Sequence, residues 1–353
     1  MQTAKQLFTG VAIRLMLVVS GLLLLTCQPD RQTPKHLSPA FYFWQTTFRL
    51  SPTEQQALKS HHVSTVYVRF FDVDLDAQRQ QPVPKAPIRF TGKLPAGLRI
   101  VPVVFITNQT LRQIRPAAIR QLAEHLLTRI KAIAQEQGIQ PAEIQLDCDW
   151  TQSTRDRYFA LIQLVRKQSR VPVSATIRLH QVKYMAQTGV PPADRGMLMV
   201  YNMSDWKRPD TRNSIYDVDV AERYTSVLDQ YPLPLDVVFP LFRWTVVYRN
   251  ARFLVLLNNL EQATLRKQPF LAMQTDTNRF VARRDTVALG LSIRKGDLFR
   301  AEACSVEELA RGKAAILKKI QTEKITFALY HLDSTVLTRY PHAFIKSLFR
   351  SVP

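Results

Sequence analysis

Short apolar runs recur along the chain, each of a length suited to a buried strand rather than to a core helix. Most are continuous and rich in Val, Ile, Phe and Tyr, which is typical of parallel strands covered on both faces. Helical patterns separate them; the clearest is Arg115–Gln137, which begins near Pro116 and stops at Gly138. This alternation predicts right-handed β-α-β units. The predicted strands are Phe41–Thr46, Val63–Phe71, Leu98–Thr107, Glu143–Trp150, Val171–Arg178, Met197–Met203, Asp236–Phe242 and Ile325–Leu332.

Eight such strands predict an α/β fold, a TIM-type (β/α)8 barrel spanning residues 40–350. A doubly wound open sheet is the alternative, although the sequence has no glycine-rich phosphate loop to support it. Residues 243–303 separate the seventh strand from the eighth, which is too long for a single connecting helix. Short β-like pieces in this segment predict a small α+β insertion.

Residues 1–27 are typical of an export signal. Lys5 and Arg14 give a basic start, and the apolar stretch Leu15–Thr26 ends at Cys27. As a helix that stretch would span roughly 18 Å, well short of a hydrocarbon core of roughly 30 Å. A signal peptide is therefore predicted, followed by a polar tether over residues 28–39.

The end of this segment, "LLTC", resembles the lipobox of bacterial lipoproteins, in which the cysteine is lipidated. Thr26 departs from the Gly, Ala or Ser that usually precedes that cysteine. The resemblance implies lipidation at Cys27 and a protein of the cell envelope that is anchored to a membrane. Ordinary secretion and an uncleaved signal anchor remain open.

Lys and Arg number 48 against 28 Asp and Glu, a formal net charge of +20. The basic residues are dispersed, with no basic tract and no base-stacking motif, so a nucleic-acid partner is not predicted. A solvated surface near anionic envelope material fits better. After Cys27 only Cys148 and Cys304 remain, which excludes a disulfide scaffold and leaves a single disulfide open.

The stretch "IQLDCDWTQ" places Asp147 and Asp149 at the end of the fourth predicted strand. Since side chains alternate along a strand, both acids share one face and Cys148 takes the other. The functional groups of a TIM barrel gather where strands end, so the acids are expected to point into the upper barrel. The alternative is a buried ion pair with Arg69 or Arg178 that only holds the barrel together.

Other predicted strand ends carry aromatic residues beside acids and amides. This combination suits a sugar, whose ring face stacks on aromatics while its hydroxyl groups need donors and acceptors. The sequence shows no histidine cluster with zinc spacing, no Gly-x-Ser-x-Gly and no Walker motif, so neither a metal nor an organic cofactor is predicted. The residues predicted to bind a carbohydrate or related envelope polymer are Trp44, Arg69, Asp72, Arg178, Asn202, Asp205, Trp206, Trp244, Tyr330 and Asp333.

These motifs resemble glycoside hydrolase family 18, the chitinases and chitinase-like lectins. The family's fourth strand carries Asp-x-x-Asp-x-Asp-x-Glu; here Asp147 and Asp149 match its second and third acids, and Thr151 stands at the glutamate. Its sixth strand carries Met-x-Tyr-Asp, against Met199-Val200-Tyr201-Asn202 here. The family often has an α+β insertion between strands seven and eight. A looser likeness is to bacterial lipoproteins with barrels of this type.

In the family the glutamate protonates the glycosidic oxygen. Thr151 cannot do so, and losing acid catalysis typically forfeits about 10²–10⁴-fold in rate. Three hypotheses follow: a hydrolase with relocated chemistry, a non-catalytic carbohydrate-binding barrel, or a structural envelope lipoprotein. The candidate catalytic residues of the first are Asp147, Asp149 and Tyr201. Asp147 or Asp149 would be one carboxylate, and the other would be one of Asp72, Asp74, Asp205 or Asp333.

Overall fold

Eight parallel strands close into a barrel in the computed structural model, which describes residues 35–76, 78, 81–275 and 277–351. Each strand pairs with the next in sequence, and β1 pairs with both β2 and β8, so the ring is complete. The predicted TIM-type barrel is confirmed. The barrel strands are β1 (His36–Phe43), β2 (Thr65–Asp76), β3 (Arg99–Ile106), β4 (Ile144–Asp147), β5 (Val173–Arg178), β6 (Arg195–Met199), β7 (Leu235–Pro240) and β8 (Lys324–Tyr330).

Helices lie between the strands and bury their apolar faces against the barrel. Ser51 caps the first helix through a capping box, in which Ser51 and Glu54 each bond to the other's backbone N–H. Pro52 is the first residue of that helix. The helix predicted from Arg115 begins later, at Ile119, after a short 3-10 turn. The helices are Pro52–Ser60, Asn108–Gln113, Ile119–Glu136, Arg155–Gln168, Leu179–Lys183, Met185–Thr188, Val218–Tyr224, Gln262–Arg266, Val306–Lys319, Ser334–Leu337 and His342–Phe349, with 3-10 turns at Pro116–Ala118 and Leu228–Gln230.

The predicted tether needs one correction at its end. Residues 36–39 belong to β1 and pair with Lys324–Phe327 of β8. Leu37 is buried between the exposed His36 and Ser38, a strand alternation that the polar composition concealed. The rest of the predicted tether up to residue 34 and the predicted signal peptide, residues 1–27, lie outside the described residues.

The segment between β7 and β8 forms the predicted α+β insertion. Its main part is a five-stranded antiparallel sheet with the helix Gln262–Arg266 against it, and Val247, Phe280 and Phe299 lie in its own small core. A separate hairpin pairs Thr286–Ala288 with Leu291–Ile293. In spatial order the strands of the five-stranded sheet are Arg252–Asn258, Trp244–Arg249, Leu298–Glu302, Arg279–Ala282 and Leu271–Met273.

Two smaller pairings cover one side of the barrel. Gln81–Lys85 runs antiparallel to the end of β2, and Thr47–Phe48 pairs with Arg89–Phe90. Cys148 and Cys304 are both buried and both free. Among the described residues, none of the helices combines the length and hydropathy that a membrane span requires.

Gly312 lies where a helix packs closely against Tyr216, in the loop after β6. It lies on Val306–Lys319, where an added Cβ would stand 1.6 Å from the hydroxyl oxygen of the buried Tyr216. We expect Gly312→Ala to lower the free energy of unfolding by about 1–3 kcal/mol in urea unfolding, because the tyrosine must move. Helix propensity alone would raise it by about 1 kcal/mol, so the sign of the change is decisive. In a Tyr216→Phe background the loss should shrink.

Candidate functional site

A cleft of about 500 Å³ opens at the carboxyl ends of the barrel strands. Strand ends from around the ring contribute to it, together with the insertion, which supplies Trp244, Asn258 and Asn259. The cleft is therefore placed where a TIM barrel carries its functional groups. It is lined by Trp44, Asp72, Phe105, Asp147, Asp149, Arg178, Met199, Tyr201, Asn202, Phe242, Arg243, Trp244, Asn258, Asn259, Tyr330 and His331.

A row of polar side chains, which we call the polar seam, joins β4 to β5 inside the barrel. Below the cleft, the side chain of Gln145 donates to the Ser174 hydroxyl at 3.1 Å and accepts from the Tyr42 hydroxyl at 2.5 Å. One step higher, the Thr176 hydroxyl donates to Asp147 at 2.6 Å. At the top, the polar seam ends in an ion pair between Arg178 and Asp149.

Asp147 is the most deeply placed acid of the cleft, with 2% of its surface exposed. Burial raises the pKa of Asp147 to about 6, opposed by the Arg178 cation and helped by the negative charge of Asp149. The floor of the cleft therefore contains a carboxyl group that becomes protonated as the pH falls through about 6.

Arg178 pairs with Asp149, and its charge also acts on Asp147. Its Nε donates to Asp149, and its guanidinium lies 5.7 Å from the centre of the Tyr201 ring. Although burial opposes it, the charges of Asp149 and Asp147 raise the pKa of Arg178. Among the described residues, none accepts a hydrogen bond from its buried Nη1.

Asp72, on β2, is held by a second arginine. The Nε and Nη2 of Arg69 donate to its two carboxylate oxygens at 2.7 and 2.5 Å. Arg69 itself is buried and does not line the cleft. Its predicted role in binding is therefore corrected to holding Asp72 in place.

Aromatic side chains form one wall of the cleft around Tyr330. The ring of Tyr330 lies 5.2 Å from that of Tyr201, 5.6 Å from Phe242 and 5.9 Å from Trp44. Trp244 continues the wall, with its ring 5.2 Å from that of Phe242. The arrangement offers a continuous aromatic surface beside the charged floor.

The buried Glu302 of the insertion fixes Trp244 in this wall. The indole Nε1 of Trp244 donates to the Glu302 carboxylate at 2.6 Å, and the Ser214 hydroxyl donates to the same carboxylate. Arg300, with no exposed surface, supplies its countercharge at 2.5 Å. The orientation of a cleft residue thus depends on an ion pair within the insertion.

Three predicted binding residues lie away from the cleft. Asp333 caps the helix Ser334–Leu337 and accepts from Gln45. Asp205 is exposed in a loop turn, and the Trp206 ring packs edge-on against Phe253 of the insertion, 4.5 Å away. The loop after β6 bends toward the insertion because the side chains of Tyr248 and Arg300 bind its backbone carbonyls.

Asn258 and Asn259 are cleft residues that sequence reasoning missed, as are Phe105 and Met199. Asn259 adopts a left-handed backbone (φ 59°), and its N–H donates to the carbonyl of Arg243, which turns the insertion strand toward the cleft. The sequence did carry a signal for this turn. Two asparagines end an apolar run, and asparagine tolerates the left-handed backbone conformation.

Thr151, which stands where the resembled family has its glutamate, is exposed and lies outside the cleft. Its hydroxyl bonds instead to Ser153 and Thr154, in the turn that precedes the helix Arg155–Gln168. Within the described residues, no group of three or more His, Cys, Asp or Glu could hold a metal ion.

Three solved structures share this architecture. The spore cortex-lytic enzyme SleL of Bacillus cereus matches over 91% of this chain and 75% of its own, with 11% identity and a TM-score of 0.53. A chitinase from Chromobacterium violaceum matches over 89% and 98%, at 12% identity and a TM-score of 0.52. SleL of Bacillus megaterium matches over 87% and 75%, at 10% identity and a TM-score of 0.51.

Neither a family model nor a curated protein matches the chain in sequence. At these identities the likeness shows the fold alone. In fold, the chain resembles the chitinase-like barrels of glycoside hydrolase family 18.

Titration of Asp147 should appear in the stability of the protein. The folded pKa of Asp147, about 6, lies above its unfolded value of about 3.9, so the folded state binds the proton more tightly. The contribution of Asp147 to the free energy of unfolding therefore falls as the pH rises from 4 to 7. We expect Asp147→Asn to gain up to about 3 kcal/mol relative to the parent over that range, measured by urea unfolding. A pH-independent difference between the two proteins would contradict the raised pKa.

Proposed function

We propose that the protein binds a glycan in the cleft at the carboxyl ends of its barrel strands. The observation that carries this proposal is the aromatic wall of Trp44, Tyr201, Phe242, Trp244 and Tyr330 beside polar side chains held in fixed positions. A sugar ring stacks on such a wall while its hydroxyl groups bond to carboxylates and amides. The chitinase-like fold supports the same class of ligand.

Glycan hydrolysis is the second candidate, and Asp147 favours it. A cleft carboxyl with a pKa of about 6 can carry a proton to a leaving oxygen at mildly acidic pH. Asp149 or Asp72 would then be the second carboxylate. Each is already held by an arginine, Arg178 or Arg69, and this arrangement also suits a binding site that performs no chemistry.

Trp44→Ala tests the proposal. We expect the variant to bind N-acetylglucosamine oligomers at least about tenfold more weakly than the parent in calorimetric titration, because it removes a stacking surface of the cleft. Trp206→Ala is the matched control, since that tryptophan lies outside the cleft, and it should bind like the parent.

Product analysis of the same mixtures separates the two candidates. Sugar release by the parent that Asp147→Asn abolishes would establish hydrolysis. Binding without products would leave a lectin-like barrel. Equal losses in the two tryptophan variants, or no binding by the parent to any of a panel of polysaccharides, would contradict a glycan site in this cleft.

We also propose that the protein is exported and lipid-anchored through Cys27. The support is the basic start, the twelve-residue apolar stretch Leu15–Thr26 and the cysteine that ends it. Together with the glycan site, this would place the barrel at the cell envelope, near anionic material that suits its net charge of +20.

Cys27→Ala tests the anchor. Cells fed radiolabelled fatty acid should label the parent, and Cys27→Ala should lose both the label and the partition into the membrane fraction. Thr26→Gly, which restores the usual residue before the cysteine, should be labelled at least as well as the parent. A parent that carries no label would argue for ordinary secretion or for a signal anchor.

A further inference from the structure

Arg243 directly precedes the insertion strand Trp244–Arg249 and faces two cavities. It lines the cleft, and it also lines a second cavity of about 470 Å³ between the insertion and the barrel. Its side chain is 17% exposed, so the charge is largely shielded from bulk water while remaining in contact with both spaces. A cation in this position needs an anion nearby.

The anion available to Arg243 is shared. Glu261 contacts Arg339 at 2.5 Å and Arg243 at 3.3 Å, through the same carboxylate oxygen. Two arginines thus compete for one carboxylate, and Arg339 makes the closer contact. Burial and the Arg339 cation lower the pKa of Arg243, which means that a further negative charge beside it would be favourable.

The charges along the cleft are therefore unequal at its two ends. At one end Asp147 and Asp149 share the single cation Arg178, and Asp72 is neutralised by Arg69. At the other end, Arg243 and Arg339 share the carboxylate of Glu261. A ligand that lies along the cleft meets an acidic end and a basic end, so a ligand with its own acidic group at the basic end would be complementary.

We propose that Arg243 binds a carboxylate carried by the glycan, so that the cleft selects acidic over neutral glycans. This inference rests on the proposed glycan binding. The guanidinium presents donors in a planar fork that matches a carboxylate, and a charge-assisted bond in a partly buried site is stronger than one to a hydroxyl.

The test uses the full-length protein and two ligands that differ only in charge. One is an oligosaccharide of alternating N-acetylglucosamine and N-acetylmuramic acid with free lactyl carboxylates, and the other is the same oligosaccharide with those groups amidated. We expect the parent to bind the acidic form roughly tenfold more tightly, with a preference that shrinks as salt is raised. Arg243→Gln should lose the preference, because its binding of the acidic form should weaken the most.

Two further variants keep the result interpretable. Arg243→Lys retains the charge and should retain part of the preference, which guards against a folding defect in Arg243→Gln. Arg252→Gln alters an exposed arginine on the insertion strand Arg252–Asn258 and should leave the preference unchanged.

Equal binding of both forms by the parent would overturn the acidic preference while leaving glycan binding intact. A preference that survives Arg243→Gln would overturn the assignment to this residue. Failure of the parent to bind either form, or any other glycan, would remove the proposed function together with this inference.

Discussion

The polar seam between β4 and β5 is the constraint on which the rest of the site depends. Inward-facing side chains of a small barrel have little water, so a polar group there must find its partner on a neighbouring strand. Gln145 lies opposite Ser174 in the ladder, and the same register brings Asp147 to Thr176. A slip by one residue would set apolar side chains against the acids. The hydrogen bonds of the polar seam therefore form only in the observed register of β4 and β5.

The insertion completes what the barrel begins. Strand ends alone would leave the cleft open on the side of β7, and the buried pair of Arg300 and Glu302 holds Trp244 in its wall. The carbonyl oxygens of the loop after β6 bind Arg300 as well. Insertion, loop and aromatic wall are therefore connected through one buried ion pair, and a partner removed from such a pair leaves an unpaired buried charge.

Periodicity in the sequence predicted the barrel and part of the site for a clear reason. Continuous apolar runs report strands covered on both faces, and alternation within β4 placed Asp147 inside the barrel. The same reasoning cannot show how a loop folds back. Trp206 and Asp333 follow barrel strands, yet one packs on the insertion and the other caps a helix, while Asn258 reaches the cleft from a strand far along the chain. Their positions depend on contacts between elements, which no local pattern records.

The geometry of the acids bears on whether chemistry accompanies binding. A general acid must hold a proton and reach the leaving oxygen, whereas a partner carboxylate must be free to respond as charge develops. Asp147 meets the first need through its raised pKa, but it is almost fully buried and accepts a hydrogen bond from Thr176. Asp149 and Asp72 are each committed to an arginine. Carboxylates held in this way are well suited to accept hydrogen bonds from sugar hydroxyl groups, and the arginine beside each one reduces its freedom to act as a nucleophile or base. The balance of these contacts supports the proposed glycan binding more strongly than the proposed hydrolysis.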